Sequence, residues 1–183
     1  MKNNLKKILT EIEVVLSDTE EKEVKKLIKA ILKAEKIITI GAGRVGMMAR
    51  GFAMRLGHLG LQSYTTADST IPAIGKKDLL IVCSGSGETQ AVYDLVLIGK
   101  RHNVKICAIT SRPASRIGKL AHLIVNLKAP TKIDKDSKIK SIQPMTTLNE
   151  QCLMIFFDCL VLELMRELNE TSQSMWSRHS NLE

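Results

Sequence analysis

Aromatic side chains are scarce in this chain: one Trp, two Tyr and three Phe amount to 3% of 183 residues. So few rings cannot build the stacking platform that grips single-stranded nucleic acid. The core must instead be filled by Ile, Leu, Val, Ala and Met. Cysteine is sparse as well. Cys83, Cys107, Cys152 and Cys159 make no C-x-x-C pair, and each sits in an apolar run. They read as small buried hydrophobes in a reducing compartment, not as a disulfide framework or a metal set. No apolar run approaches the roughly 20 residues of a membrane span. The opening MKNNLKKILTEIEVVL carries Glu11 and Glu13 and lacks both a long apolar region and a small-residue cleavage pattern. It is therefore no signal peptide, and a cytoplasmic protein without membrane contacts is expected. Internal repeats and low-complexity tracts are also missing.

Cationic side chains are abundant: 27 Lys and Arg against 19 Asp and Glu give a net charge of +8 and a pI near 9.4. Such a balance suits a nucleic-acid binder or a protein that attracts small anions. The charges are dispersed along helical faces such as Glu20–Lys26, and the basic stretch Lys128–Lys140 is interrupted by Asp134 and Asp136. That pattern belongs to solvated surfaces, so no nucleic-acid partner is expected. With 44% hydrophobic and 25% charged side chains, residues 1–183 suffice for one domain.

Apolar residues recur at helical spacing over 1–16 and again from Thr19 through Leu32. Lys36–Ile40 is then a short β-branched run closed by glycine, as a buried strand requires. Further on, helices over about 45–59, 89–102 and 115–120 alternate with strands at Leu61–Thr65, Leu79–Cys83, Lys105–Thr110 and Leu123–Leu127. Continuous apolar strands between amphipathic helices predict an α/β fold with a parallel sheet covered on both faces. Residues 128–146 are polar and Lys-rich, with Pro130 and Pro144, and read as a long mobile surface loop. A strongly apolar helix over Thr147–Leu168 and a short polar helix near His179 close the chain. The closing helix is apolar enough to bury more than one face, which favours packing against a second subunit.

Two glycine-rich turns follow strands and open helices. Gly41-Ala42-Gly43-Arg44-Val45-Gly46 satisfies G-x-G-x-x-G, and Asp68 lies at the distance where a dinucleotide site places its ribose-binding acid. On this turn alone an NAD enzyme would be expected, although glycines also serve wherever a strand turns tightly into a closely packed helix. The second turn, Ser84-Gly85-Ser86-Gly87-Glu88-Thr89, alternates three hydroxyls with two glycines. Backbone N–H and side-chain O–H groups of Ser84, Gly85, Ser86, Gly87 and Thr89 can converge on one phosphate at a helix N-terminus. Helix capping by Ser86 or Thr89 is the plainer alternative, but it needs one hydroxyl, not three.

A strand ending in GAGRVG, a second ending in SGSGET and a helix behind TLNEQ together resemble the sugar isomerase (SIS) domain family. Within that family, Gln143-Pro144-Met145 and the ending Arg178-His179-Ser180-Asn181-Leu182-Glu183 resemble the 6-phospho-3-hexuloisomerase branch. The resemblance spans nearly the whole chain. It implies a three-layer sandwich around a five-stranded parallel sheet, assembled as a homotetramer. It also implies conversion of D-arabino-3-hexulose 6-phosphate to fructose 6-phosphate, beside a hexulose-phosphate synthase that fixes formaldehyde in the ribulose monophosphate pathway.

Moving a carbonyl from C3 to C2 needs a base near both carbons and a group to shuttle hydroxyl protons; no metal or redox cofactor is required. The resemblance makes Glu150 the base. By spacing alone, Thr147-x-x-Glu150 ahead of an apolar run reads first as a capping box, and only the resemblance reverses that. A tail histidine is ordinarily idle, but the resemblance gives His179 a shuttling or ring-opening role, in its own or a neighbouring subunit's site. Gly43 and Arg44 on the first turn are candidates to meet the phosphate or a sugar hydroxyl, with an intersubunit ion pair as the other use of Arg44. His58, His102 and His122 have no ligand spacing and read as structural. A non-catalytic sugar-phosphate sensor and an aldose–ketose isomerase such as arabinose 5-phosphate isomerase are the competing readings. Residues 1–34 supply two helices without a helix-turn-helix, which disfavours a DNA-linked sensor.

Overall fold

Helical periodicity in the first 34 residues gives α1 (Lys2–Ser17) and α2 (Glu21–Lys33), after which short aliphatic runs alternate with helices: β1 (Ile37–Gly41), α3 (Gly43–His58), β2 (Ser63–Thr65), β3 (Leu79–Cys83), α4 (Gln90–Arg101), β4 (Lys105–Thr110), α5 (Arg116–Leu120) and β5 (Leu123–Asn126). Two helices, α6 (Thr147–Leu168) and α7 (Ser172–Trp176), end the chain. The computed structural model describes residues 1–131 and 140–182.

The strands form one five-stranded sheet in the order β2-β1-β3-β4-β5, every pair parallel, with Ile37 opposite both Ser63 and Leu79. Successive side chains leave a strand on opposite faces, and here both faces are buried. On one, Ile37, Leu79, Ile81, Cys107 and Ile109 pack with Leu27 of α2, Phe52 and Leu56 of α3, and Phe157 of α6. On the other, Ile38, Ile40, Leu80, Val82 and Ile106 pack with Val92 and Val96 of α4 and Ile117 of α5. Each fully buried aliphatic or aromatic side chain contributes about 1.5–3 kcal/mol. This is the expected three-layer sandwich. Outside it, α1 lies on α6, where Ile12 and Val15 bury against Leu148, Cys152 and Ala129.

Strand order reverses between β1 and β3, so their carboxyl ends open a crevice where open α/β sheets bind ligands. Both glycine-rich turns lie at that edge.

Several expectations change in detail. β2 begins at Ser63, not Leu61, because the Leu61 N–H bonds Leu56 O and so completes the end of α3. Cys83, Cys107 and Cys152 are buried as expected, but Cys159 is exposed on the outer side of α6. Of the Lys-rich stretch 128–146, residues 132–139 lie outside the described residues. Its described flanks are pinned to α1 or just beyond it: Lys128 pairs with Asp18 at 2.7 Å, and Ser141–Gln143 bond Glu11. Among the described residues no helix is long and apolar enough to cross a membrane.

Candidate active site

The first turn is built for close packing. A Cβ on Gly41 would stand 2.9 Å from Gly46 Cα, and one on Gly46 would stand 2.6 Å from Gly41 O. These two glycines let β1 and α3 touch backbone to backbone, which accounts for the pattern without a dinucleotide. Asp68 adds nothing to such a site: its carboxylate accepts the Thr65 N–H at 3.3 Å, closing the turn after β2. Gly43, at φ +57°, turns the chain into α3 in a conformation that side chains resist, and so sets the exit direction of Arg44.

The second turn is more tightly determined. Gly87 has φ +63°, and a Cβ there would fall 1.9 Å from Ser115 Oγ. A Cβ on Gly85 would meet Asn149 Oδ1 at 2.9 Å. Neighbouring elements hold the turn's carbonyls: Thr110 Oγ1 and Ser111 N donate to Gly85 O, and Ile117 N donates to Gly87 O. Ser84 and Ser86 are buried, and their hydroxyls accept the Gly87 and Glu88 amides at 3.2 and 3.3 Å. Thr89 is the N-cap of α4, yet its side chain makes no capping bond. The capping alternative for these hydroxyls therefore does not hold. They shape the turn, and the first amides of α4 keep their capacity for an anion.

Glu88 points away from this cradle. It accepts Arg116 N at 3.0 Å and Arg116 Nε at 2.7 Å, while Arg116 Nη2 reaches Glu88 O at 2.8 Å. The Arg116 backbone N–H, and then its guanidinium, hold the Glu88 carboxyl below its ordinary range. The guanidinium also lies 4.5 Å from the centroid of the Tyr93 ring. Arg116 thus ties α5 to the turn; its place in a short polar helix left no trace of this in the sequence.

α6 brings the acid. Asn149 and Glu150 are 4% and 8% exposed, unusual burial for such side chains. Asn149 Nδ2 donates to Ser111 Oγ at 3.1 Å, seating the helix against the second turn. The capping box read at Thr147 does not form. The N-cap is Thr146, and Thr147 Oγ1 instead donates to Pro144 O at 2.7 Å. Glu150 is thereby free of capping and faces the crevice. Thr146 Oγ1 donates to its Oε1 at 2.9 Å, and Arg44 Nη1 donates to its Oε2 at 2.8 Å. Arg44 also approaches Thr147 Oγ1 at 3.4 Å, so it serves the acid within its own chain. Thr146, Asn149 and Ser111 are site residues that the sequence did not single out, although Thr146 and Asn149 flank Glu150 closely.

His179 is elsewhere. Its ring packs on Trp176 at 4.9 Å and on His58 at 5.3 Å, and its Nδ1 lies 2.9 Å from Ser180 O. Arg178 latches this tail to the far end of α3, donating to His58 O at 3.0 Å and to both Glu170 oxygens. Arg44 stands in the first turn of α3 and His58 ends it, an axial rise between their backbones of about 21 Å at 1.5 Å per residue. Glu150, paired with Arg44, and His179, packed on His58, therefore sit at opposite ends of α3. His122 is structural, its Nδ1 accepting Ile106 N. Among the described residues no group of three or more His, Cys, Asp or Glu could hold a metal ion.

The chain is similar to known proteins over most of its length. The SIS domain model matches residues 30–155. The 3-hexulose-6-phosphate isomerase of Bacillus subtilis is 37% identical over 176 residues, 96% of this chain and 95% of that protein. The 3-hexulose-6-phosphate isomerase of Mycobacterium gastri is 34% identical over 181 residues, 99% of this chain and 90% of its own length. A crystal structure of a Methanococcus jannaschii protein, from which a 3-hexulose-6-phosphate isomerase function has been inferred, superposes with a TM-score of 0.86 at 33% identity and covers 99% of each chain.

Proposed function

The chain belongs to the SIS domain family and is a sugar-phosphate isomerase, and we propose that it converts D-arabino-3-hexulose 6-phosphate to fructose 6-phosphate. The observation that carries this reading is the buried Glu150 carboxylate, held between a threonine hydroxyl and a guanidinium beside an anion-binding turn.

The Ser84–Thr89 turn and the N-terminus of α4 receive the 6-phosphate, which fixes the distal end of the chain. Glu150 then removes the C2 proton of the 3-ketose. The electron pair forms the C2–C3 double bond, and the C3 carbonyl oxygen becomes the enediolate oxygen. Arg44 stands where it can balance that charge. Return of the proton from Glu150 to C3, with transfer of the O2 proton toward O3, leaves the carbonyl at C2. A positioned acid–base group supplies roughly 10²–10⁴-fold in rate, enough to matter for a proton this weakly acidic.

The proton transfer between O2 and O3 falls to His179 of a neighbouring subunit, since in its own chain His179 packs at the end of α3 opposite to the one that carries Arg44, the partner of Glu150. That role for His179 requires a homo-oligomer, with a tetramer as the expected form. The exposed Met154 and Leu162 on the outer side of α6 support it. Residues 1–183 act in this reading as one domain, working in the cytoplasm and taking substrate from a hexulose-phosphate synthase. The sensor alternative is disfavoured by the N-terminal helices, because α1 is spent on α6 and α2 on the sheet. Ribulose 5-phosphate, formaldehyde and a hexulose-phosphate synthase should yield fructose 6-phosphate only when this protein is added. No product under those conditions, with turnover of arabinose 5-phosphate, would replace the reading by the aldose–ketose one.

A further inference from the structure

Glu11 lies on α1, 130 residues before the segment it binds, and has no part in the chemistry above. Its carboxylate nevertheless accepts three hydrogen bonds from consecutive residues: Ser141 Oγ at 2.7 Å, Ile142 N at 2.8 Å and Gln143 Nε2 at 3.1 Å. Ser141 Oγ in turn accepts the Gln143 N–H at 3.0 Å, so both carboxylate oxygens and the hydroxyl form one closed network. Hydrogen bonds to a charged acceptor are about twice as strong as neutral ones, and three on one group make an anchor. Burial pushes the Glu11 carboxyl up, but the bonds from Ile142, Ser141 and Gln143 together outweigh it and hold the carboxyl below its ordinary range.

What the anchor holds is the approach to α6. Pro144 follows at once, and its carbonyl accepts Thr147 N and Thr147 Oγ1. Met145 is then forced to φ +56°, a left-handed conformation uncommon for such a side chain, although it is 96% exposed and packs on nothing. Local contacts of Met145 do not account for that conformation. The chain is fixed on either side of it, by Glu11 before and by the start of α6 after. Strain of this kind persists only where the surroundings impose it. The next residue, Thr146, donates to Glu150 Oε1. A continuous path thus runs from Glu11 through Ser141–Gln143, Pro144 and the strained Met145 to the hydroxyl that aims the acid. The α1 helix itself is held on α6 by Ile12 and Val15, next in line to Glu11, so the anchor is rigid against the helix it serves.

We propose that Glu11 is a positioning residue of the active site, clamping the Ser141–Thr146 strap so that Thr146 orients the Glu150 carboxylate. This rests on the isomerase reading for its effect on turnover, but not for its effect on the strap. A misplacement of about 1 Å can cost up to 10²-fold in rate.

Glu11→Gln keeps the shape but replaces one acceptor oxygen with an amide that must face donors. Its kcat should fall about 10- to 100-fold. KM should stay within about twofold, because the Ser84–Thr89 turn is untouched. Glu11→Asp should recover part of the loss, and Glu13→Gln, an exposed neighbour on the same helix, should match wild type. Ser141→Ala, which leaves α1 unaltered, should lower kcat in the same direction and keeps the test open if Glu11→Gln folds poorly. Hydrogen exchange gives a readout independent of turnover: amides of Ile142, Gln143 and Thr147–Gln151 should exchange at least about tenfold faster in Glu11→Gln, as local opening loses its restraint. Unchanged exchange there, or a kcat within about twofold of wild type, would overturn the proposal. If the wild-type chain fails to isomerise the 3-ketose, the isomerase reading falls, and exchange alone decides the role of Glu11.

Discussion

Replacing Glu150 by Gln separates chemistry from architecture, because the structure sets very different sizes for the two effects. The side chain is 11% exposed and its partner Arg44 is 50% exposed, so the ion pair between them is half in solvent. Pairs of that kind contribute about 0–1 kcal/mol to stability. A glutamine also keeps a carbonyl that can accept from Thr146 or Arg44. The expected loss is therefore at most about 1 kcal/mol, a melting shift of about 2–4 °C for a chain of this length. The amide cannot take a proton from carbon, and loss of the base should lower kcat by about 10²–10⁴. That is about 3–5 kcal/mol in the barrier, several times the structural cost. The assay is turnover of the 3-ketose coupled to detection of fructose 6-phosphate, with calorimetric binding of fructose 6-phosphate and a melting curve on the same preparation. Binding within about threefold of wild type is expected, since the phosphate turn is distant in sequence and intact. Turnover within tenfold of wild type would remove Glu150 from the mechanism. A melting drop beyond about 8 °C would show instead that the carboxylate is a structural member.

Three further outcomes are expected. Glu150→Gln and His179→Ala chains should each be inactive alone but regain activity when co-expressed, because some sites in a mixed oligomer hold both native residues. Mixtures that stay inactive would refute a site shared between subunits, and an active His179→Ala chain would leave His179 without a role. Gly87→Ala must place a Cβ 1.9 Å from Ser115 Oγ at φ +63°, so KM should rise about tenfold or more, the loss of one or two charge-assisted amide contacts. An unchanged KM would mean that the turn does not hold the phosphate. Finally, burial pushes the Cys107 and Cys152 thiols up to about 12 and raises Cys83 as well, leaving exposed Cys159 as the reactive thiol. A thiol reagent should modify at most one group per native chain and four after denaturation; two or more fast groups would contradict the burial described.

The sheet was legible because its strands are buried on both faces. Leu79–Cys83 and Lys105–Thr110 are continuous apolar runs whose limits coincide with the observed strands. β1 and β5 differ from expectation by one residue at their ends, and edge strand β2 by two at its start, where Leu61 belongs to the end of α3 and no alternation marks the change. The glycine pattern over 41–46 shows a firmer limit. Whether a glycine makes room for a cofactor or for another backbone depends on the atom opposite it, and here that atom is in each case the other glycine of the pair. Spacing carries no information about that choice.

The acid illustrates how a shift of one residue changes a role. With Thr147 as N-cap, Glu150 would be consumed by the capping box; with Thr146 as N-cap, the carboxylate turns to Arg44 and the crevice. Helix boundaries are the least determined feature of any sequence, and here the boundary decides whether a base exists. What sets the boundary lies far away in the chain: the strap that delivers Thr146 is fixed by Glu11, from a helix whose periodicity shows only an apolar face. His179 shows the same property in reverse. Its polar tail has no period, yet Arg178 ties it to the end of α3, opposite to the end where Arg44 meets the acid. In the proposed reading the sheet edge holds the phosphate and the base, and the two ends of the chain decide how that base is aimed and which subunit completes it.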